Sequence, residues 1–113
     1  MGASPSPTRY AYLAAMRLKQ YGHEVIPFGK EKGMIDGLEI QNSLPKDADI
    51  DTVTLYLNPR NQPQYYDFLL SLKPKRVIFN PGAENLELET MLESNGIEPV
   101  EACTLVMLST GSY

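Results

Sequence analysis

A chain of 113 residues is one domain's worth of sequence, spanning 1–113 and long enough to bury a real core. With 42% hydrophobic and 21% charged residues it lies within ordinary globular composition and outside the disordered class. A net charge of −4, with only ten Lys and Arg and those scattered, argues against a non-specific nucleic-acid binder, because phosphate neutralisation needs a clustered basic excess. An anionic small molecule stays open, since backbone N–H groups at a helix N-terminus can hold one without adding formal charge. One cysteine, Cys103, and one histidine, His23, leave no intrachain disulfide and no multi-cysteine or His-based metal site to expect. The apolar run at 105–108 is too short to span a bilayer and no signal-peptide pattern is present, so a cytoplasmic protein without membrane association is expected.

In chain order, Ala11, Ala14, Ala15 and Leu18 recur at helical spacing, and their small side chains suit close packing against a sheet. Ser6 reads as an N-cap with Pro7 at the first helical position, and Gly22 supplies a left-handed stop, so a helix is predicted over 8–21. EVIPF at 24–28 reads as a buried strand ended by Pro27 and Gly29. The glycine-bearing segment 30–46 has only a short apolar alternation at Leu38 and Ile40, and reads as loop with at most a brief strand. A strong strand follows at 52–57, stopped by Asn58 and Pro59.

Tyr65, Phe68, Leu69 and Leu72 mark a second helix, closed by Lys73 and Pro74. RVIFN at 76–80 is a third strand. The turn Pro81-Gly82 leads to a helix with Leu88, Met91 and Leu92 inward and Asn95-Gly96 as its stop, and 98–101 forms a fourth short strand. The tail from Cys103 fits either a closing helix or an edge strand. Alternating strands and helices of these lengths call for a parallel sheet with helices on both faces: a doubly wound, Rossmann-like, three-layer α/β/α arrangement. Ligands lie at the carboxyl ends of such strands, which directs attention to 2–7, 27–30, 57–60 and 80–84.

The first of these loops precedes a helix, so free N–H groups and a positive dipole end would face a bound anion. Gly2 permits close backbone approach and Ser4 or Ser6 adds a hydroxyl, although the same residues equally suit a tight turn with an N-cap. The dinucleotide fingerprint is missing: the positions after Gly2 that should hold glycine are Ser4 and Pro7, and no carboxylate follows the strand at 24–28. Lys30 and Lys32 stand there instead and favour an extra phosphate. No P-loop motif occurs.

The Gly2-Ala3-Ser4 loop, Val25-Ile26-Pro27, Leu57-Asn58-Pro59 and the Asn80-Pro81-Gly82-Ala83-Glu84-Asn85 turn, in this order and spacing, resemble the small stand-alone CoA-binding domain proteins. That family is Rossmann-like and similar to the nucleotide-binding domain of the succinyl-CoA synthetase alpha subunit. The resemblance covers essentially the whole chain and implies coenzyme A, or an acyl-CoA, as ligand. Its pyrophosphate would lie on Gly2, Ala3 and Ser4, and its adenosine near Pro27 and the segments 27–30 and 57–60. The turn at 80–85 would face the pantetheine or a partner ligand. Lys30, Asn58 and Arg60 join the site by position and chemistry, while Asn80 equally fits a turn residue that satisfies its own backbone. In this family a strand precedes the glycine loop, whereas only Met1 precedes Gly2, so that strand is expected to lie upstream with Met1 at its end.

No catalytic constellation stands out. His23 falls at the amino edge of the sheet, and Glu84 and Glu87 are explained by a helix dipole. Cys103 is either a small buried apolar side chain or a thiol near that of CoA. Tyr10, Tyr12, Tyr65 and Tyr66 could stack on adenine but also suit packing or the surface. The expectation is a non-catalytic binding or regulatory module; the alternative is a small NAD(P)-type oxidoreductase or enzyme fragment.

Overall fold

The computed structural model describes residues 1–3, 9–43 and 48–113. They fall into two compact units, Met1–Leu44 with Thr104–Tyr113, and Pro45–Cys103.

In the first unit, helix α1 spans Tyr10–Gln20 and buries Ala14, Ala15 and Leu18, three of the four residues of the predicted face. It starts later than position 8: Arg9 is the N-cap and gives no side-chain cap hydrogen bond. The cap expected at Ser6 and Pro7 lies outside the described residues. Gly22, at φ +87°, ends the helix as expected. The stretch read as loop holds an antiparallel hairpin, β1 Met34–Ile35 and β2 Leu38–Glu39. Its turn, Asp36 at φ 48° and Gly37 at φ 82°, places two left-handed residues between strands, and the Asp-Gly pair is the sequence signal for it. Lys19 Nζ donates to Asp36 O at 2.6 Å and pairs with Asp36 Oδ2 at 3.4 Å, tying α1 to the hairpin. Ala3, Ala15, Ile35 and Ile40 form a small core, with Tyr12, Met16 and Val25 packed against it.

The strand predicted at 24–28 is not formed; one parallel bridge, Phe28 to Gln41, stands in its place and Ile26 is exposed. The hydrogen bonds explain why. Gly2 N and Ala3 N both donate to the single acceptor Phe28 O, at 3.0 and 2.9 Å, rather than to successive carbonyls of a ladder. On the other side Gln41 N donates to Pro27 O at 2.8 Å and Gly29 N to Gln41 O at 2.9 Å. These bonds also bring Gly29 against the backbone of Ala3, where a Cβ on residue 29 would lie 2.5 Å from Ala3 O.

The second unit is built on a parallel sheet in the order β3 Thr52–Leu55, β4 Arg76–Phe79, β5 Glu98–Glu101. Val53 pairs with Val77 and Leu55 with Phe79, and Val77 in turn with Pro99. Val77, Ile78 and Phe79 are all buried, the unbroken apolar run expected of a strand flanked on both edges. Pro99 is tolerated because β5 is an end strand: Glu98 N and Ala102 N donate toward β4, so the nitrogen of Pro99 faces away from it. β3 stops at Leu55, short of the predicted 57, because its last partner is the amide of Asn80, after which the neighbouring chain turns off at Pro81.

Between β3 and β4 come two 3-10 turns, Pro59–Asn61 and Pro63–Tyr65, and then helix α2, Tyr66–Leu72. Each 3-10 turn begins on a proline, so Tyr65 belongs to a 3-10 turn rather than to the helix predicted to include it. Helix α3, Leu86–Ser94, buries Leu88 and Leu92 and is stopped by Asn95 and Gly96, as predicted. The ambiguous tail is helix α4, Thr104–Thr110, which belongs to the first unit and packs on α1. Among the described residues no helix is long and apolar enough to cross a membrane.

Two predictions follow from this packing. Gly29→Ala must push a methyl into the Ala3 carbonyl, which is backbone and cannot rotate away. A loss of about 1–3 kcal/mol is expected, readable as a lower Tm, and an unchanged Tm would contradict the contact. The second concerns Glu89 on α3, whose carboxyl is raised above the ordinary 4.5 by burial first, then by its hydrogen bond to Glu101, with the Asn85 N–H pulling the other way. The folded chain then holds this proton more tightly than the unfolded chain, so the pair adds stability as pH falls and costs stability once both carboxylates are charged. Glu101→Gln is expected to raise Tm at neutral pH and to lose that advantage as pH falls toward 4.5. Parallel Tm curves for the two chains would show that the pair does not couple.

Candidate functional site

In the first unit the residues assigned to a phosphate loop are only partly described, since Ser4 lies outside the described residues. Gly2 has φ +92°, a conformation glycine adopts without strain, and Ala3 is buried. Their two N–H groups are spent on Phe28 O, which corrects the expectation that these amides face an anion. At the first turn of α1 no side chain among the described residues caps the helix, and Arg9 stands exposed. Pro27 is buried with its carbonyl accepting from Gln41 N. Lys30 is exposed and has no hydrogen bond or ion pair among the described residues, so its ammonium is available to a ligand.

In the second unit Asn58, Arg60 and Asn80 all follow the carboxyl ends of parallel strands, as the doubly wound reading requires. Asn58 caps the first 3-10 turn, its Oδ1 accepting from Arg60 N at 2.9 Å. The cap orients the exposed Arg60, whose guanidinium has no partner among the described residues. Asn80 is fully buried: its N–H and its Nδ2 both donate to Leu55 O, at 3.2 and 3.1 Å, and its carbonyl accepts from Ala83 N at 2.8 Å. The Asn80 side chain thus serves main-chain carbonyls, chiefly Leu55 O across the sheet rather than its own turn.

Sequence reasoning missed the residue that joins these loops. Gln62, 1% exposed, donates from Nε2 to Leu57 O at 2.8 Å and to Ala83 O at 2.7 Å. Its Oε1 accepts from Asn85 Nδ2 at 2.9 Å, and Asn85 Nδ2 also donates to Tyr66 OH at 2.9 Å. Asn85 is at the same time the N-cap of α3, accepting from Leu88 N at 3.3 Å. A glutamine between two short proline-led turns carries no local signal of burial, since its partners lie up to 23 residues away. Glu84 closes the turn, accepting from Gly82 N at 2.8 Å, and Glu87 sits in the first turn of α3 where the helix dipole favours it.

His23 is exposed and its ring tilts at 59° over Tyr113 with centroids 4.9 Å apart. Cys103 is a half-buried free thiol. Tyr10 is exposed, and Tyr12 packs on the first unit's core. A groove of about 280 Å³ between α1 and α4, lined by Leu13, Arg17, Leu105, Val106 and Ser109, contains none of the strand-end residues.

The fold has counterparts among solved structures. A solved structure of an uncharacterized protein is 62% identical, with a TM-score of 0.95 over 99% of this chain and 93% of its own. A conserved hypothetical protein from Pyrococcus furiosus is 30% identical with a TM-score of 0.76, covering 93% of this chain and 92% of its own. A protein from Thermus thermophilus shares the Rossmann-like fold at 24% identity, with a TM-score of 0.86 over 100% of this chain and 87% of its own. No curated protein matches the chain. The model of the CoA binding domain family matches residues 1–109, which takes in all of the strand-end loops, and the chain belongs to that family.

Proposed function

We propose that this protein binds coenzyme A or an acyl-CoA, as a non-catalytic binding or regulatory module. The observation that carries the reading is the family match over 1–109, which takes in every strand-end loop. The residues present suit such a ligand. CoA carries three phosphates, an adenine and a thiol arm. Lys30 and Arg60 offer exposed cations without partners among the described residues, and the uncapped start of α1 offers main-chain donors. Within the first unit, the start of α1 and the Lys30 ammonium are the groups suited to phosphate oxygens. Within the second, the loop capped by Asn58 takes part of the adenosine side. The non-catalytic reading fits the places of two titratable side chains: the His23 ring lies tilted against Tyr113, and the Glu84 carboxylate closes a turn.

A thermal-shift panel of CoA, dephospho-CoA, NAD and NADP tests the reading. CoA is expected to raise Tm and NAD to leave it unchanged, with the gain growing as ligand exceeds Kd. Lys30→Ala and Arg60→Ala are each expected to shrink the CoA shift. A shift with NAD or NADP alone would favour the dinucleotide alternative, and no shift with any CoA species would refute CoA binding. Native mass spectrometry of the protein purified from cells would identify a retained acyl group directly.

A further inference from the structure

The loops that follow β3 and β4 leave the sheet after Leu55 and Phe79, and from there no ladder holds them to each other. The last main-chain tie is Asn80 to Leu55 O. Beyond it, the segment bearing Asn58 and Arg60 is joined to the turn at 80–85 by the carboxamide of Gln62. Both of its N–H groups are used, one on Leu57 O of the first loop and one on Ala83 O of the second. Its oxygen takes Asn85 Nδ2, whose other proton goes to Tyr66 OH. Because two carbonyls demand the nitrogen on one side and an amide donor demands the oxygen on the other, the carboxamide has a single acceptable orientation.

Such a group is a poor way to gain net stability, since burying a carboxamide costs desolvation that its hydrogen bonds only offset. What a fully satisfied buried network supplies is a unique relative position for the parts it joins. Resting on the CoA reading above, we infer that Gln62 is a positioning residue that sets the spacing between the loop of Asn58 and Arg60 and the turn at 80–85. A ligand that engages both loops gains from that preset spacing, because it does not have to order them on binding. A ligand that engages only the first loop gains nothing from it.

The test uses the full chain, with titration calorimetry well below the Tm of each variant. Two variants loosen the network differently: Gln62→Leu removes it, and Asn85→Asp keeps the α3 cap while setting a carboxylate oxygen against Gln62. Rotating the Gln62 amide does not rescue the second variant, since its oxygen would then face two carbonyls. The probes are CoA, which can span both loops, and adenosine 3′,5′-bisphosphate, which lacks the thiol arm. Both variants are expected to weaken CoA binding about tenfold while changing bisphosphate binding less than about twofold. CoA affinity within about twofold of wild type in both variants would overturn the role of Gln62 and leave the CoA reading intact. Parallel losses for both probes would also overturn it, since a merely damaged fold does not distinguish the ligands. A wild-type chain that binds no CoA would sink the reading of the site and this inference with it.

Discussion

Parallel pairing of three short strands is the constraint from which the second unit follows. Parallel neighbours cannot be joined by a tight turn, so each step from β3 to β4 to β5 needs a crossover, and α2 and α3 supply them. All three strands then run the same way, and the segments that leave their carboxyl ends emerge at one edge of the sheet. Those segments begin where the ladder stops. Their polar main-chain groups must find partners elsewhere, and beside the carboxylates of Glu84 and Glu89 those partners include the carboxamides of Asn58, Gln62, Asn80 and Asn85. Each carboxamide carries donors and an acceptor on one short stem, which lets it replace a missing ladder rung on both sides.

The first unit meets the same demand with less material. Phe28 O serves two amides, those of Gly2 and Ala3, while Pro27 O and Gly29 N exchange bonds with Gln41. The resulting closeness leaves no room for a side chain at Gly29. Its core is correspondingly modest, with alanines in contact with Ile35 and Ile40, so that main-chain proximity takes the place that large apolar side chains occupy around Val77, Ile78 and Phe79.

An acidic chain of net charge −4 in a family that binds a polyanion presents an apparent conflict, which distance resolves. Exposed charges more than a Debye length of about 8 Å apart are largely screened, so the overall balance matters less to a ligand than the few groups beside it. Lys30 and Arg60 are exposed and carry no ion pair among the described residues, unlike Lys19 and Lys75, which are paired with Asp36 and Asp51. Lys30 and Arg60 are thus among the cations available to an anion, while the Lys19 ammonium also bonds the main chain at Asp36.

Much of this was written in local pattern. The apolar runs of β3 and β4, the helical spacing of Ala14, Ala15 and Leu18, the glycine stop at Gly22 and the Asn95-Gly96 stop all depend on neighbours within a few residues, and sequence shows them without any knowledge of the fold. The strand-end motifs that mark the family are local in the same sense. The Asp36-Gly37 hairpin is local too, but its signal is weak because the flanking apolar residues are so few. What only tertiary structure decided are matters of partnership at long range. Whether 24–28 becomes a strand depends on what lies beside it, and Phe28 found converging amides instead of a ladder. Whether Gln62 is a surface residue or the tie between two loops depends on Ala83 and Asn85, more than twenty positions away. Periodicity reports which face of an element is apolar; it carries no information about which distant carbonyl a buried amide will meet.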